Sequence, residues 1–376
     1  MQATDSEIID FFRKNQGNLT QERNDFLLPQ IVDFVERKRW VEVSPEYQRR
    51  LVWPRKKKSR LIESLLMNVP VPPVYLFERD LSRYEVMDGQ QRISTIVEFY
   101  QNRLRLGSLS AWPILNGKTY TDLPEDVKRG LDRRRIGATV IFSDLMNKDS
   151  GPSDIRRQVF DRLNTGGVQL NAQELRNCLF PGEFNRMLLR LSSLPKFTDV
   201  FGIPRHSDHI TNRKVSVVLA TNSMYKRMRD TEIVLRFFAF RKVSYLRSSI
   251  PKILDRCMEN NVNVSEAEVF VLQKRFEDAL DVAVCIYPEQ VFDFPGKHAK
   301  GRASIPLYDA TMIAIDRKIA HRDLISESGP AILKRLELLL DDSDNYDIII
   351  GKPGTAQAIR RRIDLVTEVI TKTLDL

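Results

Sequence analysis

The apolar positions along this chain change their period about halfway. Through the first half, short strand-like runs alternate with helical segments; beyond about Gly182 the pattern is almost wholly helical. A helix over Leu28 to Arg39 leads into Val41-Glu42-Val43, a short strand, and Pro45 turns the chain into Tyr47-Gln48-Arg49. From Arg55 to Asn68, Leu61, Ile62, Leu65 and Leu66 recur at helical spacing. Val69-Pro70-Val71-Pro72-Pro73 ends that helix, because proline cannot continue it. Val74 to Phe77 and Tyr84 to Met87 read as two strands joined by a polar loop. Ile93, Ile96, Val97 and Tyr100 share one helical face, so Asp88 to Arg92 falls at a strand-to-helix turn. Asn116-Gly117 marks a tight turn, and Ile136 to Phe142 a further strand. Asp154 to Asn164 reads as a helix stopped by Gly166-Gly167, and Asn171 with Glu174 three residues on reads as a capping box opening the next helix.

In the second half, long periodic segments cover Lys214 to Lys242, Ser265 to Ile286, Leu307 to His321, Ala331 to Leu340 and Ala356 to Leu374. Arg205 to Asn212 and Asp293 to Ser304 read as loops between them. The fold class is therefore α+β, with a mixed N-terminal domain over residues 1–190 and a helical domain over residues 191–376.

Composition narrows the function classes. Apolar residues make up 42% of the chain and charged residues 29%, which suits a soluble protein with an ample core. No stretch approaches the roughly 20 apolar residues of a membrane helix, so no membrane association is expected. The first residues, Met1 to Glu7, are polar and acidic, unlike a secretory signal. Cys178, Cys257 and Cys285 are odd in number and far apart, which argues against a disulfide framework or a zinc site and suits a reducing cytoplasm. The net charge of +9 favours a polyanionic partner such as DNA, although the excess is spread along the whole chain.

Chemistry concentrates at Asp88-Gly89-Gln90-Gln91-Arg92. A strand feeding a helix N-terminus presents backbone N–H groups and the positive end of the helix dipole, and glycine admits a phosphate close to the backbone. Two side-chain amides and a guanidinium beside it suit phosphate oxygens, and Asp88 suits a divalent cation or the orientation of a water. A plain hairpin or strand-end turn is the competing interpretation, since Asp-Gly is common there.

The densest basic cluster is Arg55-Lys56-Lys57-Lys58-Ser59-Arg60, where Arg55, Lys56, Lys57, Lys58 and Arg60 are candidate DNA contacts. Cations at a helix start oppose the dipole, which a phosphate partner would explain; a solvated helix face is the alternative. Arg133-Arg134-Arg135 carries the same ambiguity. Trp53, Tyr75 and Tyr84 read as packing residues. Asn116-Gly117-Lys118-Thr119 imitates the end of a phosphate-binding P-loop, but Trp112 stands where its first glycine is required.

The order Tyr47-Gln48-Arg49, Trp53, Ser64-Leu65-Leu66, Val71 to Leu76 and Asp88 to Arg92 resembles the N-terminal domain of GmrSD-type modification-dependent restriction endonucleases. A second block, Val159 to Gly167, Leu170 and Glu174-Leu175-Arg176-Asn177, fits the same family, so the resemblance spans about residues 28 to 190. It implies a ParB/sulfiredoxin-like fold and binding or hydrolysis of an NTP with Mg2+, coupled to DNA restriction. Carried over residue by residue, Asp88, Gly89, Gln90, Gln91 and Arg92 would form the nucleotide site. Asp88, Gln91 and Arg92 would act in catalysis and Asp88 would hold the metal. Gln48, Arg49, Arg162 and Asn164 would lie near that site. For Arg162 and Arg176 a structural salt bridge competes with a phosphate contact, and Asn164 and Glu174 also read as plain helix caps.

One departure from the family matters. Many relatives add a nuclease domain in which histidine activates water beside a metal. Here His206, His209, His298 and His321 lack the accompanying Asp-His, Asn and His spacing; His206 and His209 could share a metal, but no cysteine or carboxylate cluster completes a site and they read as loop residues. The expected function is an NTP-binding, NTP-hydrolysing component of a DNA restriction or anti-phage system, with or without DNA nicking of its own. The alternative is a non-catalytic DNA-binding or assembly protein, or a specificity subunit for a separate nuclease. Homo-oligomer formation stays open.

Overall fold

The computed structural model describes residues 4–15, 19–43, 53–143, 171–211, 214–287, 289–352 and 354–375. The chain divides into two compact units, Met1–Gln169 and Leu170–Leu376. The class is α+β, with a mixed sheet in the first unit and helices filling the second.

In the first unit, α1 (Asp5–Asn15) precedes β1 (Leu19–Leu27), which runs directly into α2 (Leu28–Glu36) and then β2 (Val41–Glu42). Next come α3 (Arg55–Leu66), β3 (Val74–Asp80), β4 (Arg83–Asp88), α4 (Gln90–Tyr100), α5 (Glu125–Asp132) and β5 (Arg135–Ser143). The five strands lie in the order β1-β5-β3-β4-β2. β1 is antiparallel to β5, β5 parallel to β3, β3 antiparallel to β4, and β4 parallel to β2. Leu61, Ile62, Leu65 and Leu66 of α3 and Ile93, Ile96 and Val97 of α4 are buried against Ile31, Val74, Leu76 and Val140. The helical spacing read in the sequence is thus what drives these helices onto the sheet. α3 ends at Leu66, and Asn68, at φ +60°, leaves the helical region just before the proline run.

β1 has no counterpart in the apolar pattern. Its sequence, Leu19-Thr-Gln-Glu-Arg-Asn-Asp-Phe-Leu27, is polar because the strand sits at the sheet edge, paired with β5 alone, and most of its described side chains face solvent. Backbone pairing over Leu19↔Ser143 to Leu27↔Arg135 makes it a strand, and charges on an edge discourage further pairing.

The second unit opens with α6 (Ala172–Leu179), started by the expected capping box. Asn171 Oδ1 accepts from the N–H groups of Gln173 and Glu174 at 2.9 Å, and a Glu174 carboxylate oxygen accepts from the Asn171 N–H at 2.6 Å. Its principal further helices are α7 (Glu183–Leu191), α8 (Arg229–Arg241), α9 (Ile250–Asn260), α10 (Glu266–Ile286), α11 (Ile305–Arg317), α12 (Gly329–Leu340), α13 (Ser343–Ile350) and α14 (Ala356–Thr373). Phe237, Phe276, Phe292 and Leu307 are fully buried in their common core.

The periodic stretch expected as one helix over Lys214 to Lys242 is broken in three places. Lys214–Val215 pairs as a strand with Ile210–Thr211. Ser216 and Asn222 each bind the N–H groups that follow them and start new short helices. Met228, at φ +53°, then resets the chain before α8. Side chains that satisfy backbone donors locally compete with continuing a helix. The expected loop over residues 205 to 212 also contains a single helical turn, His206–His209. The expected helix over Asp154 to Asn164 lies outside the described residues.

Among the described residues no helix is long and apolar enough to cross a membrane.

Candidate functional site

β4 delivers Asp88 as its last residue and α4 begins two residues later, so Gln90, Gln91 and Arg92 occupy the first helical turn rather than a loop before it. The N-cap is Gly89, at φ +95° and ψ 9°, a left-handed conformation that L side chains avoid. Space forbids a side chain as well: a Cβ on Gly89 would lie 2.5 Å from Val74 Cγ1. Glycine at the N-cap brings no capping side chain of its own to the helix start. Opposite Asp88, β3 shifts register between Tyr75 and Leu76, which bends the strand pair where the turn emerges.

Asp88 and Arg92 are one helical turn apart and bonded, Nη2 to Oδ2 at 2.7 Å. The same Nη2 also donates to the Pro73 carbonyl at 3.0 Å. Arg92 is only 14% exposed while Asp88 is 50% exposed, so the guanidinium stands behind the carboxylate and presents it. Arg92 Nε is buried with no hydrogen-bond partner. Gln91 accepts the Trp53 backbone N–H on Oε1 at 3.0 Å, tying α4 to the chain just ahead of α3. Neither link, Arg92 to Pro73 or Gln91 to Trp53, was visible in the sequence. Both join positions 19 and 38 residues apart, and the only hint was that Trp53 and the proline run flank α3.

Of the other residues carried over from the resemblance, Gln48, Arg49, Arg162 and Asn164 lie outside the described residues. Arg176 does not face a phosphate. It is 2% exposed and bonded to Asp255 at 2.8 Å, with Glu232 at 3.5 Å and the Pro251 carbonyl at 3.2 Å, all within the helical unit. The salt-bridge interpretation is therefore the right one for Arg176.

The basic run at α3 splits. Lys56, Lys57 and Arg60 are exposed, and the Lys57 ammonium sits over the Trp53 ring at 4.4 Å. Lys58 departs from the expectation of a DNA contact: its side chain is 10% exposed and its ammonium binds both Glu98 oxygens, at 2.8 and 2.6 Å. Helical spacing turns it inward beside Leu61 and Ile62. Arg55 folds back to donate to the carbonyls of Arg105 and Leu106 at 2.7 and 2.8 Å. With Lys56 it lines a cleft of about 280 Å3 against Gly107, Ser108 and Asn116. In the second basic run, Arg134 donates to the Leu66 carbonyl at 3.2 Å, leaving Arg133 and Arg135 exposed.

No trio of His, Cys, Asp and Glu side chains converges among the described residues. His209 Nδ1 lies 2.8 Å from the Ser216 hydroxyl, and the His206 ring packs edge-on against Tyr225.

These features define a class: an α+β domain that sets an exposed aspartate on a glycine-opened strand-to-helix turn, with a lysine- and arginine-bearing helix in the same unit. Residues 30–181 match the family described as GmrSD restriction endonuclease, N-terminal domain. The chain thus carries a GmrSD N-terminal domain, and the match takes in the Asp88 turn and continues through α6. No curated protein and no solved structure matches the chain.

Proposed function

We propose that this protein is an NTP-dependent component of a DNA restriction system, with nucleotide phosphates received at the Asp88 to Arg92 turn. The observation that carries this is Gly89, whose left-handed N-cap both excludes a side chain and leaves the first amides of α4 without a side-chain cap. Asp88 stands exposed at that point and suits Mg2+, which commonly takes one or two carboxylates and completes its shell with phosphate oxygens and water. When bound, the metal would neutralise charge on the phosphates. Arg92 holds the Asp88 carboxylate in place, and Gln91 anchors the helix start to Trp53. Exposed Lys56, Lys57 and Arg60 supply non-specific attraction for a phosphodiester backbone.

The test is turnover of ATP, GTP, CTP and UTP by the purified full chain with magnesium, with and without DNA. Turnover that disappears in Arg92→Ala and Asp88→Ala, with folding intact, is the expected result. Normal binding and hydrolysis by both variants would place the chemistry elsewhere.

One observation favours a second reading, a non-catalytic DNA-binding or assembly protein. Arg92 is already engaged by Asp88 and Pro73, as it would be in a purely structural turn. Folded protein that binds DNA in a salt-sensitive way, yet neither binds nor turns over any nucleotide, would establish that reading.

A further inference from the structure

The helical unit contains a larger cleft, of about 740 Å3, between the loop at residues 246–249 and the start of α14 at residues 354–357. Its polar lining comes from Arg247, Ser248, Ser249, Thr355, Gln357 and Arg360; among the described residues neither a carboxylate nor an aromatic ring lines it. We propose that this cleft binds backbone phosphates of nucleic acid, giving the helical half a DNA contact of its own.

The first argument is charge. Arg247 and Arg360 line one cavity whose described lining includes no acidic residue, and arginine is suited to phosphate by its planar fork of donors. The second is the fold around it. The cleft lies at the starts of both α9 and α14, through the N-cap residues Ser249 and Thr355. Both helix dipoles therefore add positive potential to the same space. Thr355 spends its hydroxyl on the Ala358 N–H at 3.2 Å, whereas Ser249, which also lines the cleft, makes no such cap. The third is what the wall lacks. Base recognition in single strands and nucleotide sites leans on stacked aromatic rings, and none is present, so the group recognised is the phosphate and not the base. This inference goes beyond the Asp88 reading and stands whether or not that turn handles nucleotide.

The experiment is binding of a short fluorescent DNA duplex to the full chain, followed by anisotropy over a series of salt concentrations. The Arg247→Gln/Arg360→Gln double variant is compared with wild type and with Lys56→Gln/Lys57→Gln. Arg247 is exposed, so Arg247→Glu alone serves where the double variant fails to fold. The expected result is an affinity loss of about tenfold or more and a salt slope shallower by about two for the double variant. Unchanged affinity and slope in folded Arg247 and Arg360 variants would overturn the proposal, as would absence of duplex binding by wild type. Loss in the Lys56/Lys57 variant alone would confine DNA to the first unit and overturn it too. A labelled NTP lost by the Arg247 and Arg360 variants but kept by Asp88→Asn, with duplex binding unchanged, would mean that the cleft takes free nucleotide phosphate instead.

Discussion

Two short segments of this chain carry the same kinds of residue and do opposite work. At residues 88–92, an aspartate, two glutamines and an arginine open a helix at the surface, and the arginine backs a carboxylate that stands half exposed. At residues 173–177, a glutamine, a glutamate, an arginine and an asparagine also open a helix, but all four are buried. There the Asn171–Glu174 box closes the helix start with side chains, and Arg176 is consumed by Asp255 and Glu232. Gly89 brings no capping side chain to the first helix start, whereas side chains close the second. The same residue types are thus compatible with a binding site or a structural tie, and burial decides between them.

The sharpest way to break this contrast is Arg176→Ala. Removing one partner of a buried pair deprives Asp255 of its Arg176 contact, at a cost of about 3 kcal/mol. The helical unit is expected to melt at clearly lower temperature in calorimetry. A change within error would place Arg176 outside the fold's support. Next in size is Gly89→Ala. The left-handed backbone costs about 1–2 kcal/mol for a residue with a Cβ, and the approach of Val74 adds to it. Urea denaturation of the first unit should shift accordingly, with nucleotide binding lost. Retention of full stability would show that the turn relaxes freely.

Lys58→Gln separates packing from DNA contact within one helix. Loss of the Glu98 pair is expected to cost about 1–3 kcal/mol and to leave the salt dependence of DNA binding untouched. Lys56→Gln should do the reverse, flattening the salt slope by about one at little cost in stability. Exchange of those two outcomes would invert the assignment of the α3 surface.

The smallest effect concerns Glu174. Burial, opposed by the Asn171 N–H and by Arg227, raises its carboxyl above the ordinary value of 4.5. The folded state then holds that proton more tightly than the unfolded state does. Folding is favoured while the group is protonated, and that advantage fades as pH rises through the raised folded value. Glu174→Gln keeps the capping acceptor without the charge. Relative to this variant, wild type should lose stability as pH rises from the ordinary carboxylate value through the raised folded one, measured by urea midpoints. A parallel pH dependence in both proteins would show that Glu174 is not strained by burial.

Much of the site was legible before its geometry was known. Asp-Gly between a strand-like run and a 3.6-residue period reads as a strand-to-helix turn, and Asn171 with Glu174 announces its cap by spacing alone. What stayed hidden depended on distant partners. Nothing local reports that Arg92 reaches back to Pro73, or that Lys58 meets Glu98 forty residues on. The polar β1 escaped notice because backbone pairing at an edge needs no apolar alternation. The broken segment at residues 214–242 escaped because capping by Ser216 and Asn222 outweighs a continuous apolar period.

The central claim is that the unsealed turn at Asp88 receives nucleotide. Its most direct test is equilibrium binding of labelled NTPs with magnesium to wild type and to Asp88→Asn, each first shown to unfold at a similar temperature. Asp88 is half exposed, so the substitution should cost less than about 1 kcal/mol in stability. The expected result is binding by wild type that falls at least about tenfold in the variant, roughly 1.4 kcal/mol of affinity. Equal binding by the two proteins, or none by wild type, would contradict it.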